Sequence, residues 1–120
     1  MDIGDDPRFA AGIAHFNRGD YFDAAESFED LFFEAVRGEL DLARALLQVA
    51  SGMHHVERGQ RRAAIERLEE ALEPIDRVED DRGVDLVALR ADVARAIAQL
   101  RKGERVKRIR LTCKSTDTRR

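Results

Sequence analysis

The chain has 120 residues, 43% of them hydrophobic and 38% charged, with a formal net charge of −3 and a single cysteine. That length corresponds to one domain with enough interior to fold without metal or disulfide support, and Cys113 alone excludes an internal bridge and a cysteine-rich zinc knuckle. No apolar run approaches the roughly 18 residues of a membrane span, and the opening residues, with Asp2, Asp5 and Asp6, lack a secretion signal's basic and apolar regions; a cytoplasmic protein is expected.

In chain order, Pro7 suits the first turn of a helix over residues 7–17 with Asp6 as its cap, and Phe9, Ile13 and Phe16 supply its buried side. Residues 17–20 read as a turn in which Gly19 tolerates a positive φ. Asp20 is placed to cap a second helix over 21–37, with Asp23 completing a variant of the capping box. The main stripe of that helix is Tyr21, Ala24, Ala25, Phe28, Leu31 and Phe32. Phe22 and Phe33 lie on a flank that also carries Glu26 and Glu29. Gly38 ends the helix, and Asp41 can cap the next.

Residues 42–59 read as the central helix. Leu42, Leu46, Val49, Met53 and Val56 recur every three or four residues on one side, while Arg44, Gln48, Ser51, Gly52 and His55 form a quieter stripe. A fourth helix over 61–77 buries Ala64, Ile65, Leu68, Ala71, Leu72 and Ile75, and Pro74 is expected to kink or fray its last turn. After a polar link, a fifth helix over 86–102 aligns Leu86, Leu89, Val93, Ile97 and Leu100, and Gly103 stops it. Val106, Ile109 and Leu111 fit either a loose strand or a docked coil. Residues 1–103 hold 14 Lys/Arg against 22 Asp/Glu, net −8, whereas residues 104–120 hold 7 against 2, net +5. An acidic single domain over 1–103 with a basic, solvated tail over 104–120 is therefore expected. The tail has no aromatic side chain to stack on bases, so nucleic acid is not an expected partner.

Gly19, Ala24, Phe28 and Leu31 are matched forty residues later by Gly59, Ala64, Leu68 and Ala71, each set opening a helix. The pattern is similar to the second half of a tetratricopeptide unit, although forty residues exceeds that family's spacing; a short stack of helical hairpins is expected, not a true array. A closer resemblance is carried by two blocks. Residues 16–32 run Phe-Asn-Arg-Gly-Asp-Tyr-Phe-Asp-Ala-Ala-Glu-Ser-Phe-Glu-Asp-Leu-Phe, and residues 48–55 run Gln-Val-Ala-Ser-Gly-Met-His-His before Arg58, Gly59, Gln60 and Ala63. Together they resemble the small helical family labelled "domain of unknown function 309" across about residues 9 to 76. The resemblance implies a polar cluster at Glu26, Glu29, Gln48 and His55. Ala25 stands where that family has histidine, Phe32 where it has tryptophan, and Arg44 where it has glutamine, so the member has lost at least one imidazole.

Spacing alone leads to the same residues. Glu26 and Glu29 are three apart on one flank, and Gln48 and His55 are two turns apart on the next helix; where those stripes face each other, the carboxylates orient the imidazole. Glu26, Glu29 and His55 are also candidate donors for Zn²⁺, Mn²⁺ or Fe²⁺, but the Glu-x-x-His pairs of four-helix carboxylate sites do not occur. His54 reads as a half-buried packing residue, His15 as a solvated one, and Arg58, Arg61 and Arg62 as rim charges able to meet an anionic partner. Ser27 and Ser51 lie in nothing like a nucleophile elbow, and no catalytic residue or cofactor is assigned. The expectation is an all-α protein of about five helices, a compact bundle or short stack of antiparallel hairpins, serving as a structural or protein-interaction domain. A protein partner or a second copy of the chain would bind it, and no membrane is expected. The alternative is a metal-binding or hydrolase-like protein using Glu26, Glu29 and His55.

Overall fold

The apolar periodicities become five helices in a computed structural model that describes residues 3–114. They are α1 (Pro7–Asn17), α2 (Tyr21–Glu34), α3 (Leu40–Glu57), α4 (Arg61–Arg77) and α5 (Leu86–Arg101), with short 3-10 turns at Ile3–Asp5 and Arg37–Glu39. Met1, Asp2 and residues 115–120, the end of the expected basic tail, lie outside the described residues. The fold is all-α. Among the described residues, no helix is long and apolar enough to cross a membrane.

Each helix packs on its neighbour in the chain, and α3 lies between α2 and α4. Leu42, Leu46 and Val49 on α3 are fully or almost fully buried, as the central position of that helix requires. Around them close Phe16 from α1, Phe28 from α2, Leu68 from α4 and Leu89 from α5. Asp6 caps α1 as its position implies, accepting the Arg8 amide at 2.9 Å. The Arg8 side chain and amide hold the Asp6 carboxyl down at about 2.

Some boundaries differ from the sequence reading for local reasons. The second helix stops at Glu34, because Ala35 and Val36 turn extended and a 3-10 turn follows. Asp41 falls inside α3, whose N-cap is Glu39. Asp20 occupies the N-cap position of α2 without bonding its side chain to the helix; Arg18 takes the carboxylate instead, at 3.4 Å. Helix α4 runs past Pro74 to Arg77, with the proline ring buried.

The forty-residue repeat marks equivalent positions. Gly19 and Gly59 adopt φ of +87° and +70°, and each ends its helix with the same pair of backbone bonds. Gly19 N–H reaches Phe16 O at 3.0 Å and Asp20 N–H reaches His15 O at 2.9 Å; Gly59 and Gln60 repeat this to Val56 O and His55 O at 3.1 and 2.9 Å. Gly103 and Glu104 close α5 likewise. The repeat extends to Gly12 and Gly52, which are also forty apart: Gly12 lies under the Phe28 ring and Gly52 under Leu68, and an added Cβ would come within 2.5 and 2.7 Å of those side chains. Both α1–α2 and α3–α4 thus pack a large residue of the second helix onto a glycine of the first.

The segment after α5 is a docked coil. Ile109 is fully buried and Leu111 3% exposed. Asn17 clamps the Leu111 backbone from both sides, donating from Nδ2 to its carbonyl at 2.9 Å and accepting its amide on Oδ1 at 2.8 Å. Beyond it, the Thr112 carbonyl accepts the Asp85 amide at 2.8 Å, and Cys113, exposed and unpaired, bridges Val84.

Candidate functional site

The α2–α3 hairpin carries all four residues of the expected polar cluster, Glu26, Glu29, Gln48 and His55. Phe22, Glu26, Glu29 and Phe33 follow at spacings of four, three and four, so they form one stripe along α2, and all four are exposed. The side of α2 turned into the protein is occupied by Ala24, Phe28 and Leu31. Packing through those residues rotates the two carboxylates outward, and neither makes a hydrogen bond or ion pair among the described residues.

On α3, Gln48 and His55 are half-buried. Gln48 borders a shallow groove of about 380 Å³ between α3 and α4, beside Arg44, Glu69, Glu70 and Glu73. His55 Nδ1 lies 2.6 Å from Gln60 Oε1. With that oxygen as acceptor, Nδ1 supplies the hydrogen of this contact. The orienting group for the imidazole is thus the N-cap residue of α4, and no hydrogen bond joins Glu26 or Glu29 to Gln48 or His55. The donor atoms of Glu26, Glu29 and His55 also do not gather around a common metal position among the described residues.

The hairpin joins these residues to aromatic ones. The Phe22 ring stacks 5.5 Å from His54, which is half-buried as its position implied. At the other end of α2, the Arg44 guanidinium lies 5.6 Å over the Phe32 ring, and Phe33 is 5.9 Å from Phe32. Val36 and Leu40, both exposed, continue the apolar surface into the start of α3.

Two groups escaped the sequence reading. His15, expected in open solvent, is half-buried, and its donor atom lies within 4.8 Å of those of Asp20 and Asp23. Arg18 engages two of the three, its Nη2 3.0 Å from His15 Nδ1 and its Nε 3.4 Å from Asp20. The second is Glu39, 5% exposed. Its carboxylate accepts the Ile3 amide at 2.8 Å, the Arg82 guanidinium at 3.2 Å and the Val36 amide at 3.4 Å. Burial pushes this carboxyl up, and those donors outweigh it, leaving it below the ordinary value. Nothing near Glu39 in the sequence announces the pair, because Arg82 is forty-three residues away.

The architecture defines an all-helical hairpin protein with a polar and aromatic face on its second and third helices. Over residues 9–66, from α1 into the start of α4, the chain matches the model of the family described as Domain of unknown function (DUF309). The resemblance carried by the two sequence blocks is thereby borne out. No curated protein and no solved structure matches the chain in the same comparisons.

Proposed function

We propose that the chain is a protein-interaction domain whose docking surface is the outer face of the α2–α3 hairpin. The observation that carries this reading is the exposure of Phe33, 74%, and Phe22, 56%, at the two ends of one helical stripe. Covering a phenylalanine side chain is worth roughly 1.5–3 kcal/mol, and large exposed aromatics in a rigid scaffold are the usual anchors of an interface. Between them Glu26 and Glu29 have no partner among the described residues. The segment that fits is therefore apolar, with Lys or Arg placed to meet the two acids, and a helix laid along α2 meets both requirements. A second copy of the chain is a poorer match, since two-fold pairing through this stripe brings Glu26 and Glu29 of both copies together.

Site-specific photocrosslinking in cells tests the proposal, with a photoreactive residue placed at Phe33 or Glu29 and, as control, at Ala91 on the outer side of α5. Adducts at the first two positions that map to a basic, apolar segment of another protein are the expected result. Adducts to a second copy, adducts to an acidic segment, or labelling no greater than at Ala91 would each overturn it.

A further inference from the structure

A cleft of about 410 Å³ opens where the α1–α2 turn, the C-terminal end of α3 and the start of the docked coil meet. Its floor is apolar, made by buried Met53 and half-buried Val56 and Val106. Arg18, Arg105 and Arg108 stand in its walls against a single carboxylate, Glu57. Arg18 is shared with Asp20, but neither Arg105 nor Arg108 has a carboxylate within ion-pair distance among the described residues. Elsewhere Arg8, Arg67, Arg77, Arg90 and Arg95 are each paired, while Arg37, Arg44 and Arg58 share the state of Arg105 and Arg108 but line no cleft with an apolar floor beside a second such arginine.

The cationic wall is also positioned. Arg108 Nη2 donates to the Asn17 carbonyl at 3.1 Å, and it crosses Gly19, where a Cβ would come within 2.9 Å of the same nitrogen. Tyr21 borders the cleft and is 4% exposed. Burial pushes its phenol up against the opposing pull of Arg108, so the hydroxyl remains protonated.

We propose that this cleft binds a small organic phosphate monoester, its phosphate against Arg105 and Arg108 and its apolar group on Met53, Val56 and Val106. Two guanidiniums without carboxylate partners match a dianion, whereas a monocarboxylate leaves one of them uncompensated. The planar guanidinium fork also suits phosphate oxygens. The apolar floor gives an ester an advantage over inorganic phosphate. Glu57 opposes any anion and holds the affinity down.

Calorimetric titration of the full chain with phenyl phosphate tests this, beside inorganic phosphate and benzoate. Phenyl phosphate is expected to bind at least tenfold more tightly than either. Arg105→Ala should weaken it at least threefold with an unchanged melting curve, the Arg105→Ala/Arg108→Ala pair at least tenfold, and Glu57→Gln should tighten it severalfold. Arg62→Ala, in the separate depression between α4 and α5, should change nothing. Three results would overturn the proposal: no measurable binding of phenyl phosphate, binding no tighter than that of inorganic phosphate, or a loss on Arg62→Ala equal to that of Arg105→Ala. The last would mean diffuse attraction to positive charge.

Discussion

Gly12 and Gly52 show how much a single missing methyl group fixes. Each sits inside a helix, where glycine is about 1 kcal/mol less favourable than alanine, so propensity alone favours Gly→Ala at both. The packing says otherwise, because Phe28 and Leu68 are fully buried and an added Cβ would lie 2.5 and 2.7 Å from them. Overpacking of this kind costs about 1–3 kcal/mol and exceeds the propensity gain at most sites. Gly12→Ala and Gly52→Ala are each expected to lower the melting temperature by several degrees. Gly38→Ala, which meets nothing within 4 Å, should leave it unchanged or slightly raised. Thermal melts followed by circular dichroism compare the three directly, and equal behaviour at all positions would show that the close approaches are not rigid.

Between elements, the buried carboxylate of Glu39 ties three pieces of chain that no helix connects: the 3-10 turn at Ile3, the α2–α3 connection at Val36, and the link before α5 at Arg82. Arg82 holds a φ of +51°, an uncommon conformation for a side-chain-bearing residue, and it also pairs with Asp80. Glu39→Gln keeps the shape but removes the charge facing Arg82, and a loss of about 1–3 kcal/mol is expected in denaturant unfolding. The folded carboxyl lies below its unfolded value, so its contribution is complete above the unfolded value and disappears as pH falls through the folded one. The acid limb of the stability profile should accordingly be shallower in Glu39→Gln. Such long-range polar ties are where the sequence falls silent. Helices α1, α3, α4 and α5 were legible from apolar spacing and from Asp6, Gly59 and Gly103, because those signals are local. The stripe of Ala24, Phe28 and Leu31 that packs α2 was legible, and with it the flank of Glu26 and Glu29; whether that flank meets α3 or solvent was not, because it depends on how the two helices are rotated against each other. The pairing of His55 with Gln60 was within reach, five residues apart across a glycine turn, but longer-range acids drew the reading away.

For the molecule as a whole, the coil after Gly103 carries more than its composition implies. Charge marks it as a solvated basic end, yet Ile109 and Leu111 enter the core and Asn17 bonds both faces of the Leu111 peptide. A buried isoleucine truncated to alanine costs about 2–5 kcal/mol, a large share of the 5–15 kcal/mol that holds a small domain together. Ile109→Ala is expected to unfold at clearly lower denaturant concentration than the intact chain. Ending the chain at Gly103 removes Ile109, Leu111 and the backbone bonds to Asp85 and Gly83 together, and should lower stability further. Because the same segment supplies Val106, Arg105 and Arg108, the shortened chain should also lose phenyl phosphate binding, while Ile109→Ala retains it under conditions where it is folded. Denaturant unfolding and calorimetry on the two variants separate these roles: a shortened chain that melts like the intact one would show that the coil lies on the bundle without supporting it.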